Sequence, residues 1–305
     1  MEKLVILVGP TASGKTSTAI AIAKELGAEI ISADSRYFYQ ELEIGTAKPT
    51  LEEMGSIPHY LIDVTSLNEE WNLAIFQERV KEIIQDINSR GKIPILVGGT
   101  GQYIRAVTEG WKIPRQIPDK KIRDAIINWA NQIGSEQLHK RLAVGDPEAA
   151  KNIDHRNMRR TIRALEVIFL TGSRFSEQRK KLPVSYDLLT LGIAMPRSEL
   201  YARIDARIDQ MILDGFIEEV KHLLSQGFRA QLLKIGPIGY QEITRFLDGE
   251  ITLEDAILLI RRKTRLFVRR QANWFKPDDP EIKWFQYDEQ VVKKMVDYIH
   301  FHYSK

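Results

Sequence analysis

Apolar positions form short unbroken runs early in the chain and helical stripes further on. Leu4 to Val8 is a continuous apolar run closed by Gly9, which predicts a strand buried on both faces. Gly9 to Gly14 predicts a turn, and Lys15 to Leu26 a helix. Glu29 to Ser32 predicts a second short strand that ends at Asp34-Ser35. Leu73, Phe76, Val80, Ile83, Ile84 and Ile87 recur at helical spacing and predict a helix over Trp71 to Asn88, closed by Ser89-Arg90-Gly91. Ile93 to Val97 predicts a third strand, which breaks at Gly98-Gly99-Thr100-Gly101. Strands and helices in alternation predict a parallel sheet with helices on its faces.

The pattern changes after about residue 112, where Pro114 and Pro118 mark a boundary. From there to about 185 the pattern is helical, with runs over Lys120 to Ile133 and Met158 to Leu170. Leu188 to Ala194 predicts a returning strand, followed by a helix over Ser198 to Leu213. The expected layout is an α/β core of residues 1–114 and 186–305, interrupted by a helical insertion over 115–185 and ending in a helical C-terminal part.

Composition narrows the function. The chain has 305 residues, 43% hydrophobic and 28% charged, which is ordinary for a globular protein. It has no cysteine, so disulfides, thiolate metal sites and a thiol nucleophile are excluded. The five-residue apolar run near the N-terminus is too short for a signal-peptide core, and no run approaches the roughly 18 apolar residues of a membrane span. A cytoplasmic protein with no membrane partner is expected. The net charge of +3 is unevenly spread. Residues 156–181 hold Arg156, Arg159, Arg160, Arg163, Arg174, Arg179, Lys180 and Lys181 against two acids, and residues 261–270 hold six cations and no acid. One such cluster reads as a solvated helix face; two, beside a phosphate-binding motif, point to nucleic acid.

That motif is Gly9-Pro10-Thr11-Ala12-Ser13-Gly14-Lys15-Thr16, a match to G-x-x-x-x-G-K-[ST] between an apolar strand and a helix. Its glycines let backbone N–H groups turn toward phosphate oxygens, and the helix N-terminus adds a favourable dipole. Lys15 supplies a point charge and Thr16 a hydroxyl suited to magnesium. A chance match in a chain of this length has a probability of roughly 1%. The fold class is therefore α/β of the P-loop NTPase type. The loop does not name the reaction. Nucleotide hydrolases carry a magnesium-supporting aspartate after a second strand, whereas here the third strand runs into glycines. Asp34 stands at a strand tip, where ligands gather in open α/β sheets, and reads equally as a turn acid or a functional one.

Further segments complete an ordered set: Ser32-Ala33-Asp34-Ser35, Ile44-Gly45-Thr46-Ala47-Lys48-Pro49, Pro58-His59-Tyr60-Leu61-Ile62-Asp63 and Val97-Gly98-Gly99-Thr100-Gly101-Gln102-Tyr103. Later come Asp146-Pro147-Glu148-Ala149-Ala150, Arg163-Ala164-Leu165-Glu166-Val167, Ile238-Gly239-Tyr240 and Arg269-Arg270-Gln271. With the phosphate loop, this set resembles the tRNA dimethylallyltransferase (tRNA isopentenyltransferase) family, bacterial type, over residues 3 to about 275. The resemblance implies transfer of a dimethylallyl group from dimethylallyl diphosphate to N6 of adenosine 37 in the tRNA anticodon arm, with magnesium, by a monomer. It implies that residues 9–16 and Arg203 hold the diphosphate, that Thr16 meets the metal, and that Asp34, Thr100 and Arg207 are catalytic. It implies tRNA contacts from Asp34, Ser35, Arg36, Tyr37, Thr100, Arg123, Arg159, Arg160, Thr161, Ile162, Arg163 and Tyr240. Arg36-Tyr37 depart from the Met-Gln or Ala-Leu common in the family.

The residues themselves support parts of this scheme. Arg203 and Arg207 at i, i+4 share one helix face, the alternative being an exposed pair bonded to Asp205 and Asp209. The exocyclic amine of adenine is a poor nucleophile that a carboxylate can activate. Three rivals stay open: an ATP-dependent small-molecule kinase, a prenyltransferase acting on free AMP or ADP, and an RNA-binding GTPase-like module. The last lacks an Asn-Lys-x-Asp string.

Overall fold

The computed structural model describes residues 1–69, 71–113, 119–179, 183–184 and 186–304. Pro114, Pro118, Lys180, Lys181 and the side chain of Arg179 lie outside the described residues.

Six strands, β1 (Glu2–Val8), β2 (Glu29–Ser32), β3 (His59–Tyr60), β4 (Pro94–Val97), β5 (Tyr186–Ala194) and β6 (Ile282–Gln286), form one sheet in the order β3-β2-β4-β1-β5-β6. Every pairing is parallel. Val5 faces Ile95 on one side of β1 and Leu189 on the other. The unbroken apolar run of the central strand follows, because helices cover both faces of such a sheet. Leu4 to Val8 are all at most 1% exposed, and each buried side chain contributes roughly 2 kcal/mol. Two strands were not expected. β3 is two residues long, and β6 is a half-exposed edge whose Lys283 and Gln286 break the apolar pattern.

Thirteen α-helices are described. The first four are α1 (Lys15–Leu26), α2 (Leu51–Met54), α3 (Leu73–Ser89) and α4 (Gly101–Thr108). Then come α5 (Lys120–Gly145), α6 (Pro147–Asn152) and α7 (Met158–Thr171). The last six are α8 (Arg197–Leu213), α9 (Phe216–Ser225), α10 (Arg229–Ile235), α11 (Tyr240–Leu247), α12 (Leu253–Gln271) and α13 (Val291–Tyr303). The chain divides into two units: Met1–Asn72, Phe76–Thr108 and Ser185–Lys305 form the first, and Leu73–Ile75 with Glu109–Val184 the second.

In the first unit, α1 and α13 pack Ala19, Ile22, Val291, Met295 and Ile299 on the sheet. A separate core joins α8, α9, α11 and α12 through Ile204, Ile208, Phe216, Val220, Ile243 and Ile260. The second unit has its own core of Ile126, Leu138, Leu142, Ile162 and Leu165. Its long helix α5 is interrupted at Gly134, whose φ of 82° is left-handed, so the helix expected to stop at Ile133 resumes after one residue. No helix among the described residues is long and apolar enough to cross a membrane.

Candidate active site

Three adjacent strands, β2, β4 and β1, end at the same edge of the sheet. Their carboxyl ends carry Asp34, the Gly98–Gly101 turn and the phosphate loop. Ligands collect at such a place in an open α/β sheet.

Residues 9–16 wrap the N-terminus of α1. Gly14 is its N-cap at φ 85°, and a Cβ there would stand 2.6 Å from the ring of Tyr287. Ala12 also has positive φ, at 65°. Alternating backbone of this kind turns successive N–H groups to one side, as anion-binding nests do. Ser13 is fully buried and its hydroxyl has no partner among the described residues. Lys15 Nζ donates to Pro10 O at 2.6 Å. Burial lowers the Lys15 pKa to about 8, with Arg207 adding to the effect and Asp34 opposing it.

After β2 the chain turns at Asp34, whose Oδ1 accepts from Arg36 N at 3.0 Å. The turn is pinned by Phe38, fully buried, which packs on Phe76 of α3 and Tyr103 of α4 with ring centroids 5.6 and 5.7 Å away. Ser35 N reaches Thr100 Oγ1 at 3.5 Å, which brings the β2 and β4 loops together. Tyr37 donates to Ala47 O at 2.8 Å and lies within hydrogen-bonding reach of Thr16 and Arg207. Burial, then the charge of Asp34, raises its pKa to about 12. Thr16, Ser32, Asp34, Tyr37 and His59 line one cavity of about 40 Å³.

Helix α8 supplies the arginines. Arg207 donates to Thr46 O at 3.1 Å, and its charge reaches Lys15 and Tyr37. Arg203 lies 3.1 Å from Glu199, and its guanidinium carbon is 4.4 Å from the ring centre of Tyr287. Asp205 and Asp209, the alternative partners on the same helix, pair instead with Arg265 and Arg261 of α12. Arg203 and Arg207 therefore keep their face free of those acids. Lys263 pairs with buried Glu242. Three cations of the 261–270 cluster thus tie helices together.

The arrangement is two cations and one carboxylate around a phosphate loop. The family described as IPP transferase (IPPT) matches residues 37–278. This chain belongs to the IPP transferase family. It is 45% identical to the tRNA dimethylallyltransferase of Roseiflexus sp. (strain RS-1) over 90% of each chain. Its fold is similar to the tRNA isopentenylpyrophosphate transferase of Bacillus halodurans, with a TM-score of 0.73 and 39% identity, covering 100% of this chain and 97% of that one. It is also similar to a eukaryotic dimethylallyltransferase acting on tRNA, with a TM-score of 0.82 and 26% identity, over 100% of this chain and 80% of that one.

Several segments of the family resemblance carry structural contacts. Lys48 pairs with Asp63 and donates to Tyr39 O, joining the 44–49 and 58–63 segments. Asp146 is buried and caps α6 through Ala149 N, while also accepting from Ser176. Tyr240, expected against tRNA, is instead fully buried. Its hydroxyl donates to Glu219, which also accepts from Ile44 N at 2.6 Å. Tyr240 thereby holds the loop whose Thr46 carbonyl anchors Arg207.

In the second unit, Thr161 and Ile162 were expected to meet tRNA, but they are 0% and 8% exposed. They sit on the core face of α7, where helical periodicity sends them inward. Arg159 is exposed, Arg123 and Arg160 are half-buried, and Arg163 pairs with the fully buried Glu166 at 2.8 Å. Two functional candidates lie beyond the sequence reading: Tyr287, beneath Arg203, and Gln271, bonded to Thr11 and Gly99. Tyr287 carries no charge or motif spacing that marks it, and the Arg269-Arg270-Gln271 segment marks Gln271 without showing which loops it joins.

Proposed function

We propose that this IPP transferase moves the dimethylallyl group of dimethylallyl diphosphate to N6 of adenosine 37 in tRNA and releases diphosphate. The observation that carries this reading is the gathering of Lys15, Thr16, Asp34, Tyr37 and Arg207 in one place. The bond from C1 of the donor to the diphosphate oxygen breaks, and a bond from N6 to C1 forms. The electron pair leaves with the diphosphate, whose growing charge is met by Lys15, Arg207 and the loop N–H groups. Asp34 accepts the proton that N6 loses, which returns electron density to the amine as the new bond forms. Thr100, linked to Ser35, orients the acceptor base. Adenosine 37 must leave its stack to reach this hollow. Arg123, Arg159 and Arg160 are the second unit's candidates for backbone contacts, which supply most tRNA affinity.

The donor set fits magnesium in a limited way. No cluster of three acids or histidines occurs among the described residues. Magnesium is commonly held by one or two protein groups together with substrate phosphates. Thr16, which lines the cavity, supplies one such group. When bound, the ion would neutralise part of the leaving charge.

The test incubates the protein with carbon-labelled dimethylallyl diphosphate, magnesium and unmodified bacterial tRNA, then digests the tRNA to nucleosides. Label on adenosine 37 supports the reading. Transfer of labelled phosphate from ATP to a small molecule, or label on free AMP or ADP and not on tRNA, would overturn it.

A further inference from the structure

We propose that Gln271 is a positioning residue that locks the phosphate loop and the Gly98–Thr100 turn into one geometry. The inference rests on the prenyl-transfer reading above. Gln271 closes the C-terminal end of α12 and is 4% exposed. Its Oε1 accepts from Thr11 N at 2.9 Å, and its Nε2 donates to Gly99 O at 3.1 Å. One amide therefore serves an N–H on the donor side and a carbonyl on the acceptor side, across more than 170 residues of chain in each case. Turned over, the same amide would set donor against donor and acceptor against acceptor, so only one orientation satisfies both loops.

The fit is close. A Cβ on Gly99 would lie 2.1 Å from Gln271 Nε2, so residue 99 must be glycine for the amide to lie on its backbone. Thr11 N–H is spent on Gln271 and anchors the loop instead of facing the donor. The next residue after Gly99 is Thr100, which holds Ser35. Helix α12 is itself tied to α8 by Arg261 to Asp209 and Arg265 to Asp205. The helix that carries Arg207 and the helix that carries Gln271 thus move together. The side chain acts on donor and acceptor loops at once without touching either substrate.

The conservative variant Gln271→Met keeps the length and bulk and removes both hydrogen bonds. With parent protein as control, three readouts are measured: donor kcat/KM at saturating tRNA, tRNA Kd, and melting temperature. Expected is a fall in donor kcat/KM of about tenfold or more, with tRNA Kd within about twofold of parent. Gln271→Glu is the second variant. Its carboxylate accepts from Thr11 but repels Gly99 O; its protonated acid donates there as the amide does. Its activity relative to parent should therefore rise as pH falls, a response that a packing role would not produce. Parent-like kcat/KM in Gln271→Met overturns the proposal, as does a loss matched by an equal loss of tRNA binding. Should Gln271→Met fail to fold, Gln271→Glu decides, and a ratio to parent that is constant with pH overturns the proposal. Parent protein that transfers no prenyl group to tRNA would instead sink the underlying function.

Discussion

The charge on Lys15 should set the upper pH limit of donor capture. Burial beside Arg207 lowers its pKa to about 8, although Asp34 pulls the other way. A cation with a lowered pKa carries its charge below that value and loses it as pH rises. Charged Lys15 should fall from roughly nine-tenths of molecules at pH 7 to roughly one-tenth at pH 9, so donor kcat/KM, which reports the free enzyme, should drop about tenfold across that range. The neighbouring charges tune this limit in opposite directions. Arg207→Ala removes a cation and should move the descending limb to higher pH. Asp34→Asn removes an anion and should move it lower. Lys15→Ala should be slow at every pH and lack the limb. The assay is initial-rate prenyl transfer at subsaturating donor from pH 6.5 to 9.5, at constant ionic strength. A parent profile that stays flat through pH 9, or a descending limb that survives in Lys15→Ala, would refute the assignment.

Four other expectations follow from the ion pairs, the buried groups and one exposed arginine. Arg163→Ala should strip the partner from buried Glu166 and lower the melting temperature, at a cost of about 3 kcal/mol. Arg159→Ala, at an exposed position, should leave the melting temperature unchanged and reduce the salt dependence of tRNA binding; equal melting shifts would contradict this. Hydrogen bonds from Arg90, against the effect of burial, hold Glu29 at a pKa of about 2, so its stabilisation is complete above pH 4.5 and lost as pH falls toward 2. Glu29→Gln should cost roughly 2–3 kcal/mol at neutral pH and little near pH 2, measured by denaturant unfolding. Tyr240→Phe should spare tRNA affinity but lower turnover by loosening the 44–46 loop; weaker tRNA binding with normal turnover would restore the contact first expected.

Much of the sheet was legible because its central strands are buried on both faces. β1, β2 and β4 read as apolar runs, and the glycines that end β1 and β4 mark the loops the site is built on. β3 and β6 were hidden because a two-residue strand has no period and an edge strand is half solvated. The phosphate loop was legible because its chemistry requires particular residues at consecutive positions. The long-range partners were not. Nothing local tells that Asp205 and Asp209 turn to Arg265 and Arg261, 60 and 52 residues on, and not to arginines on their own helix. In the arginine-rich 261–270 segment, the sequence could not tell the cations that tie helices together from the exposed Arg262, Arg269 and Arg270. The burial of Thr161, Ile162 and Tyr240 was hidden for a related reason. A motif marks a segment, while burial is decided residue by residue by the face each side chain presents.

Asp34 tests the central claim most directly. Parent and Asp34→Asn proteins are compared in single-turnover transfer from labelled donor to tRNA, with donor affinity measured separately. The account predicts label on adenosine 37 with the parent, turnover slowed by roughly a hundredfold or more in Asp34→Asn, and nearly unchanged donor binding. Parent-like single turnover by Asp34→Asn would contradict it and leave Asp34 as a turn residue at the tip of β2.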